Sequence, residues 1–416
     1  MKIYNELQQQ YERYGNVQNL MQYINAESLK EKHHEMKSNK AAGIDKISKS
    51  DYEINLDDNI QNLVSRLKSG TYEPLAIRRC YIPKSNGKLR PLGIPAYEDK
   101  LVQAVLTDIL CSIYEPIFNA CSHGYRRNKN CHTALLQLSK TVKTGHINYI
   151  VEADIKGFFD NLNHSQLIDM LKQVIQDRHF IRYIKEFLQA DIYYADTNIP
   201  STTGTPQGGA ISPVLANIYL HYVLDEWFET CVKPTCSNSH LIRYCDDFIA
   251  CFSNKRDAEY FYTAVQKRLT EYSLEIEPTK TKILRFNIYN PSSEYFSFLG
   301  FNISVNVHKE LCFEASHNKL ISKLDNITNK IIDTISTTNS IIKCVHEVNT
   351  LLRGVYNYYC FHTNELWLQE LYSSTLNILH NTLCVNTKTK CISIDELNDL
   401  LLIYPISTPP DHLIIP

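Results

Sequence analysis

LIRYCDDFIACF, residues 241–252, sets Asp246 and Asp247 side by side between two apolar runs. The pattern reads as two short strands around a tight acidic turn. Adjacent carboxylates in such a setting are costly to bury without a counter-charge. A divalent cation is the natural compensation. A third carboxylate, Asp154, ends another apolar run, YIVEAD at 149–154. Three such groups can hold two Mg²⁺ ions roughly 4 Å apart, the arrangement phosphoryl transfer uses. Mg²⁺ suits a sparse set, because phosphate oxygens complete its shell. The bland alternative is a capped, exposed Asp-Asp turn. The apolar flanks, with Tyr244 just before the pair, weigh against it.

Outward from this stretch, strand-like and helix-like segments interleave. Residues 1–40 read as helical and polar, and residues 41–48, AAGIDKIS, as a Gly-centred turn. Short strand-like runs near 77–95 flank the turn Ser85-Asn86-Gly87. Leu101, Val105, Ile109 and Ile113 recur at helical spacing. A helix is expected near 164–176, a Gly/Pro-rich loop at 199–209, and a helix opening at Ser212-Pro213. Another helix is expected over 257–272, and a strand at 295–304. Leu320, Leu324, Ile327, Ile331 and Ile335 step by 4, 3, 4 and 4, which marks an amphipathic helix. The whole predicts an α+β unit up to about 310, followed by a helical module.

Composition narrows the class. The 416 residues carry a net charge of −2, without the global excess of Lys and Arg usual in nucleic-acid binders. Local clusters decide contacts, however. Arg78, Arg79, Lys84, Lys88 and Arg90 lie within 78–90 with no acid among them, and Arg126, Arg127 and Lys129 follow. Such clusters can grip phosphate. The 13 cysteines show no Cys-x-x-Cys pair and read as reduced thiols of a cytoplasmic protein. No 18-residue apolar run predicts a membrane span, and the opening MKIYNELQQQYERYG is unlike a secretory signal.

Tyr244-Cys245-Asp246-Asp247 is the Tyr-x-Asp-Asp signature of reverse transcriptases. Its surroundings resemble the group II intron class of the bacterial enzymes over residues 40–360. GKLRPLGIP (87–95) and HGYRRNKNCHTAL (123–135) are similar to the family's fingers motifs, and EADIKGFFDNLNH (152–164) to the palm motif holding the first aspartate. GTPQGGAISPVLANIYL (204–220) is similar to the loop and helix that cradle the nascent base pair. YFSFLGF (295–301) resembles the primer grip, and LLRGVYNYY (351–359) the end of the thumb.

The resemblance implies a right-hand polymerase: an N-terminal helical extension (1–40), fingers and palm (41–310), a helical thumb (311–360) and a short C-terminal extension (361–416). It makes Asp154, Asp246 and Asp247 the catalytic metal ligands, assisted by the Ile155 carbonyl, for two Mg²⁺ that Mn²⁺ can replace. Phe159, beside Phe158, falls at the steric gate that rejects a 2′-hydroxyl. Gln207 and Gly208, with Gly209, would approach the incoming nucleotide. Lys84, Lys88 and above all Arg90, whose fork suits phosphate oxygens, would take the triphosphate. Lys280 would protonate the leaving pyrophosphate. Template and primer would fall to Arg78, Arg79, Arg126, Arg127, Tyr244, the primer-grip residues Phe298, Leu299 and Gly300, and Lys319 and Lys323 on the thumb helix.

The chain departs from the pattern at Cys245, where intron enzymes usually carry Ala, and residues 360–416 contain no His/Cys cluster of an HNH endonuclease. The expected function is RNA-directed DNA polymerisation from a DNA or RNA primer and dNTPs. The expected setting is a stand-alone enzyme that uses a structured noncoding RNA in antiphage defence. The alternative is a compact group II intron-encoded reverse transcriptase and maturase. Phe159 and intact aspartates weigh against an RNA polymerase and against a maturase with an idle site.

Overall fold

A computed structural model of the protein describes residues 2–83, 89–206, 208–290, 294–338, 340–386 and 394–415. By its internal contacts the chain divides into two units. One comprises Met1–Gln137 with Ile147–Ile283, the other Leu138–His146 with Leu284–Pro416. Helices and largely antiparallel sheets mix throughout, an α+β architecture. The strands are β1 (Ile77–Pro83), β2 (Leu89–Ile94), β3 (Tyr149–Asp154), β4 (Ile192–Tyr194), β5 (Thr197–Ile199), β6 (Ser239–Tyr244), β7 (Asp247–Phe252), β8 (Lys282–Arg285), β9 (Phe296–Phe298), β10 (Phe301–Val305) and β11 (Leu311–Glu314).

The first unit is organised by a sheet ordered β6-β7-β3-β8. Its three leading strands read as continuous apolar runs because both faces are covered. Ile150, Val151, Leu241, Ile242, Phe248, Ile249 and Ala250 are all buried. Helix Lys255–Glu271 packs one face through Phe261 and Val265, with Phe261 against Phe252 at 5.3 Å. A second sheet, ordered β2-β1-β4-β5, pairs β1 with β2 antiparallel and with β4 parallel. The expected helices appear as Tyr97–Tyr114, His164–Val174 and Ser212–Leu220, the last with Pro213 in its first turn. The turn expected at 85–87 lies outside the described residues.

Leu7 of helix Lys2–Tyr14, Leu29 of helix Ala26–Glu35 and Leu20 between them belong to the first unit's core. By internal contacts the division falls at Ile283, so β9–β11 lie in the second unit. There the helix predicted from the 4-3-4-4 spacing is His317–Thr338, with Leu320, Ile327, Ile331 and Ile335 buried. Residues beyond 360 are part of the same unit. Leu368, Leu371, Leu379 and Leu383 on helix Glu365–Asn386 are buried. Asn349 donates to the Pro405 carbonyl (2.8 Å) and accepts from the Ser407 amide (2.7 Å).

Candidate active site

The register of the first unit's sheet decides what its acids can do. Asp154 closes β3 directly opposite Asp247, the first residue of β7, and Tyr244 closes β6 opposite the same Asp247. Directly paired residues share a face, so Asp154 and Asp247 project together, and the two-residue turn Cys245-Asp246 adds the third carboxylate beside them. Like charges in this position repel. Burial raises the Asp246 pKa above the usual carboxylate range; its own backbone amide pulls it down and Asp154 pushes it further up. Lys280 forms an ion pair with Asp154, which raises the lysine's pKa and keeps it protonated. Among the described residues no three His, Cys, Asp or Glu side chains close into a shell of protein ligands. The donor set is instead two facing carboxylates and a third in the turn, already drawing a cation. That sparse oxygen set fits Mg²⁺, which shares its coordination with phosphate.

The turn is held from below by residues that the sequence reading did not single out. Cys245 sits at φ 58°, a left-handed conformation that costs a non-glycine residue on the order of 1 kcal/mol or more. Its carbonyl accepts a 3.0 Å hydrogen bond from Nη1 of Arg243, a fully buried guanidinium. Arg243 also grips Asp225 with two bonds of 2.7 and 2.6 Å and donates to Asn217 Oδ1 and Ser122 Oγ, each at 2.9 Å. All five guanidinium hydrogens are thereby used. Helix Ser212–Leu220 runs into a π turn, His221–Asp225. Regular α winding would leave Asn217 and Asp225 about 80° apart. The wider turn brings Asp225 round to the arginine. Asn217 Nδ2 donates to the Gly124 carbonyl (2.6 Å), and a Cβ on Gly124 would lie 2.7 Å from the Cys245 nitrogen, so only glycine lets this loop close on the turn. The signal was present as a lone Arg inside an apolar strand and a lone Asp inside an apolar helix.

His123, next to Gly124, receives the strand as well. Its amide donates to the Arg243 carbonyl (2.8 Å), and its ring bonds Thr133 Oγ1 (2.9 Å) and Gln137 Oε1 (2.6 Å). Burial lowers its pKa to about 4, and burial likewise takes His221 to about 4. A base whose folded pKa is depressed stabilises the fold above its unfolded pKa near 6.5. That contribution is lost as pH falls toward 4. His123 alone is worth on the order of 3 kcal/mol across that window. Urea unfolding at pH 7.5 and pH 4.5 is therefore expected to show a loss of stability that His123→Gln reduces. An equal loss in the variant would place the acid sensitivity elsewhere.

Other expected site residues separate into groups. Phe159 is partly exposed, whereas Phe158, expected with it on the nucleotide, is buried against Phe159 and Tyr219 and belongs to the core. The Phe159 carbonyl accepts from the Thr205 amide (2.7 Å), fixing the loop before Gly208. Gly208 (φ 116°) turns its bare Cα to the Gly93 carbonyl of β2, so its smallness also serves packing on that strand. Arg90 projects exposed from β2. Its charge reaches Tyr125, whose phenol is raised by burial and then by Cys245 and Asp246 while Arg90 opposes them. Arg90 therefore shares its surroundings with the acidic turn. Tyr244, half-buried, lies 6.4 Å from the Tyr125 ring. The Ile155 side chain is buried and its backbone bridges Ile276. Lys84, Lys88 and Gln207 lie outside the described residues.

Three arginines expected on nucleic acid have these surroundings. Arg78 donates twice to the Ala42 carbonyl. Arg126 is spent on Glu115 (2.9 Å) and on the Asn119 and Ser122 carbonyls, so it braces its own loop. Arg127, exposed, lines a cavity with Glu27, Glu31, Lys32, Asp108 and Glu115. Arg79 keeps a place beside the nucleotide loop, lining a small cavity with Asp160, Gly204 and Thr205. In the second unit Phe298 is buried, while Leu299 and Gly300, both at positive φ, form the β9–β10 turn. Lys319 lies over the Tyr359 ring at 6.0 Å, its pKa lowered by burial and then by Lys323. Lys323 lines a groove with Lys330 and Tyr358.

Comparison with known proteins agrees with this geometry. Residues 82–303, more than half of the chain, match the family model described as Reverse transcriptase (RNA-dependent DNA polymerase). The group II intron-encoded protein LtrA of Lactococcus lactis subsp. cremoris is 47% identical over 169 residues, 40% of this chain and 27% of that protein. Protein YkfC of Escherichia coli (strain K12) is 31% identical over 290 residues, 62% of this chain and 74% of that protein. A 91 kDa protein in the cob intron of Schizosaccharomyces pombe is 29% identical over 421 residues, 80% of this chain and 50% of that protein. The chain thus spans about a quarter of LtrA and half of the fission-yeast protein.

Proposed function

We propose, from the premise that this chain belongs to the reverse transcriptase (RNA-dependent DNA polymerase) family, that it copies RNA into DNA by adding dNTPs to a primer 3′-hydroxyl. The observation that carries this is the register placing Asp154 against Asp247 with Asp246 in the turn between strands. Asp154, Asp246 and Asp247 would hold two Mg²⁺, which when bound supply Lewis acidity to the 3′-hydroxyl and to the departing pyrophosphate. Arg90 binds the triphosphate from β2, its fork matching phosphate oxygens. Lys280 carries a proton at the edge of the same site and gives it to pyrophosphate once it exchanges Asp154 for a phosphate oxygen. In this reading the second sheet acts as fingers, the acidic sheet as palm and helix His317–Thr338 as part of a thumb.

Phe159 is the gate against ribonucleotides. Its partly exposed ring lies on a backbone tied by the Thr205 amide to the loop before Gly208. Phe159→Ala should raise the incorporation of NTP relative to dNTP by roughly 10- to 200-fold, the range a pocket contact of this size supplies. The readout is the ratio of kcat/KM values. An unchanged ratio would remove Phe159 from sugar selection.

For the setting, we put the intron-associated role first, because the relatives that name a setting name an intron. Antiphage defence with a dedicated noncoding RNA has no specific observation in its favour. The test is to sequence the nucleic acid that co-purifies with the wild type and with Asp246→Ala/Asp247→Ala. DNA complementary to an intron RNA, present only in the wild type, supports the intron role; DNA mapping to a separate small RNA supports the other setting. RNA without DNA in both, together with failed primer extension on added template, would leave an RNA-binding protein.

A further inference from the structure

A groove of about 990 Å³ lies in the first unit between helices His164–Val174 and Arg178–Gln189. Four cations, Lys172, Arg178, Arg182 and Lys185, line it. In a chain of net charge −2 such a concentration is not background. The acids nearby are largely committed. Asp177 accepts from four backbone amides, those of Leu20, Met21, His179 and Phe180. Asp169 lies 3.6 Å from Lys172, and Glu186 lies 3.1 Å from Arg182. Arg178 and Lys185 are both exposed, with no carboxylate partner among the described residues. They are seven residues apart on one helix face, about 10 Å along the axis. Ile168, Ile175 and Ile181 form an apolar floor.

We infer that this groove binds the sugar-phosphate backbone of a single-stranded stretch of the RNA the enzyme carries, away from the catalytic acids. The inference rests on the polymerase reading above. Spaced cations over an apolar floor fit phosphates at the rim and ribose or base faces below. The groove also communicates with the nucleotide site. His164, which lines it, bonds the Gly204 carbonyl at 2.6 Å, and Gly204 begins the loop that packs on Phe159 and carries Gly208. RNA held here sits one side chain from that loop. An acidic protein segment is the competing occupant, and the test separates the two.

The full chain carrying Arg178→Glu/Lys185→Glu should extend a short RNA template–DNA primer duplex within about twofold of wild type. Its affinity for a long structured RNA transcript should fall at least tenfold. For the milder Arg178→Gln/Lys185→Gln the plot of log affinity against log salt should flatten by about 1.4, two lost phosphate contacts at about 0.7 each. The neutral pair keeps the test decisive if the reversed charges impair folding. Unchanged RNA affinity and slope in the neutral pair overturn the inference. Unchanged RNA binding with loss of a co-purifying protein overturns it in favour of a protein surface. If wild type itself fails to extend the short duplex, the polymerase reading falls instead, whatever the groove binds.

Discussion

Asp247→Asn is expected to lower primer extension by on the order of 10³-fold or more while raising the melting temperature of the protein in EDTA. The two effects have one cause. Asp154 and Asp247 occupy directly paired positions on one sheet face, where like charges are destabilising. Asp246 adds a third charge, its pKa raised first by burial and further by Asp154. Asn has the same shape as Asp, keeps an acceptor and removes one charge, so the apo fold gains. The same charge is what the proposed ions need. Their stabilisation of the transition state is worth several kcal/mol, and each 1.36 kcal/mol is a factor of ten. Calorimetry in EDTA and steady-state extension with Mg²⁺ read the two halves separately. Full activity in the variant would sink the assignment of Asp247. A fall in both activity and melting temperature would mean that the carboxylate is structural, made by contacts that amide chemistry cannot replace.

What could be read from the sequence was whatever depended on local pattern. The acidic turn between apolar runs is the β6–β7 hairpin, and the helical spacing at 320–335 is helix His317–Thr338. The pairing of Asp154 with Asp247 was not legible, because register joins segments nearly a hundred residues apart and depends on how both runs are covered. The partners of the basic clusters were hidden for a related reason. Arg78 and Arg126 were counted as surface charge, yet backbone carbonyls and Glu115 claim them, and only tertiary structure shows which acceptors a guanidinium can reach. Phe158 and Phe159 are adjacent in sequence, yet Phe158 is fully buried and Phe159 only partly, a distinction set by the four-residue helix Phe158–Asn161. The cations of the groove escaped notice because they are spread over 172–185 at helical spacing and never form a run.

Arg243 and Asp225 should show the largest effect on stability, and their variants should separate folding from positioning. Both side chains are fully buried and joined by two hydrogen bonds. Removing one partner leaves the other charge without compensation and costs about 3–5 kcal/mol, a large share of the 5–15 kcal/mol typical of a folded protein. Asp225→Ala is therefore expected to unfold at markedly lower urea than wild type. Exchanging the pair for Arg243→Met/Asp225→Leu removes both charges and fills similar volume, and such exchanges are often neutral or better. The double variant should regain part of the lost stability, since the Asn217, Ser122 and Cys245 acceptors still lose their donor. It should not regain activity, because nothing then donates to the Cys245 carbonyl, and the left-handed residue that sets Asp246 loses its support. Arg243→Lys gives the intermediate case. It keeps a charge for Asp225 but cannot make five directed bonds, so kcat should fall with little change in KM for dNTP. Retained polymerase activity in the stable double variant would reduce Arg243 to a core ion pair, and the turn would then owe its conformation to Gly124 and Asn217 alone.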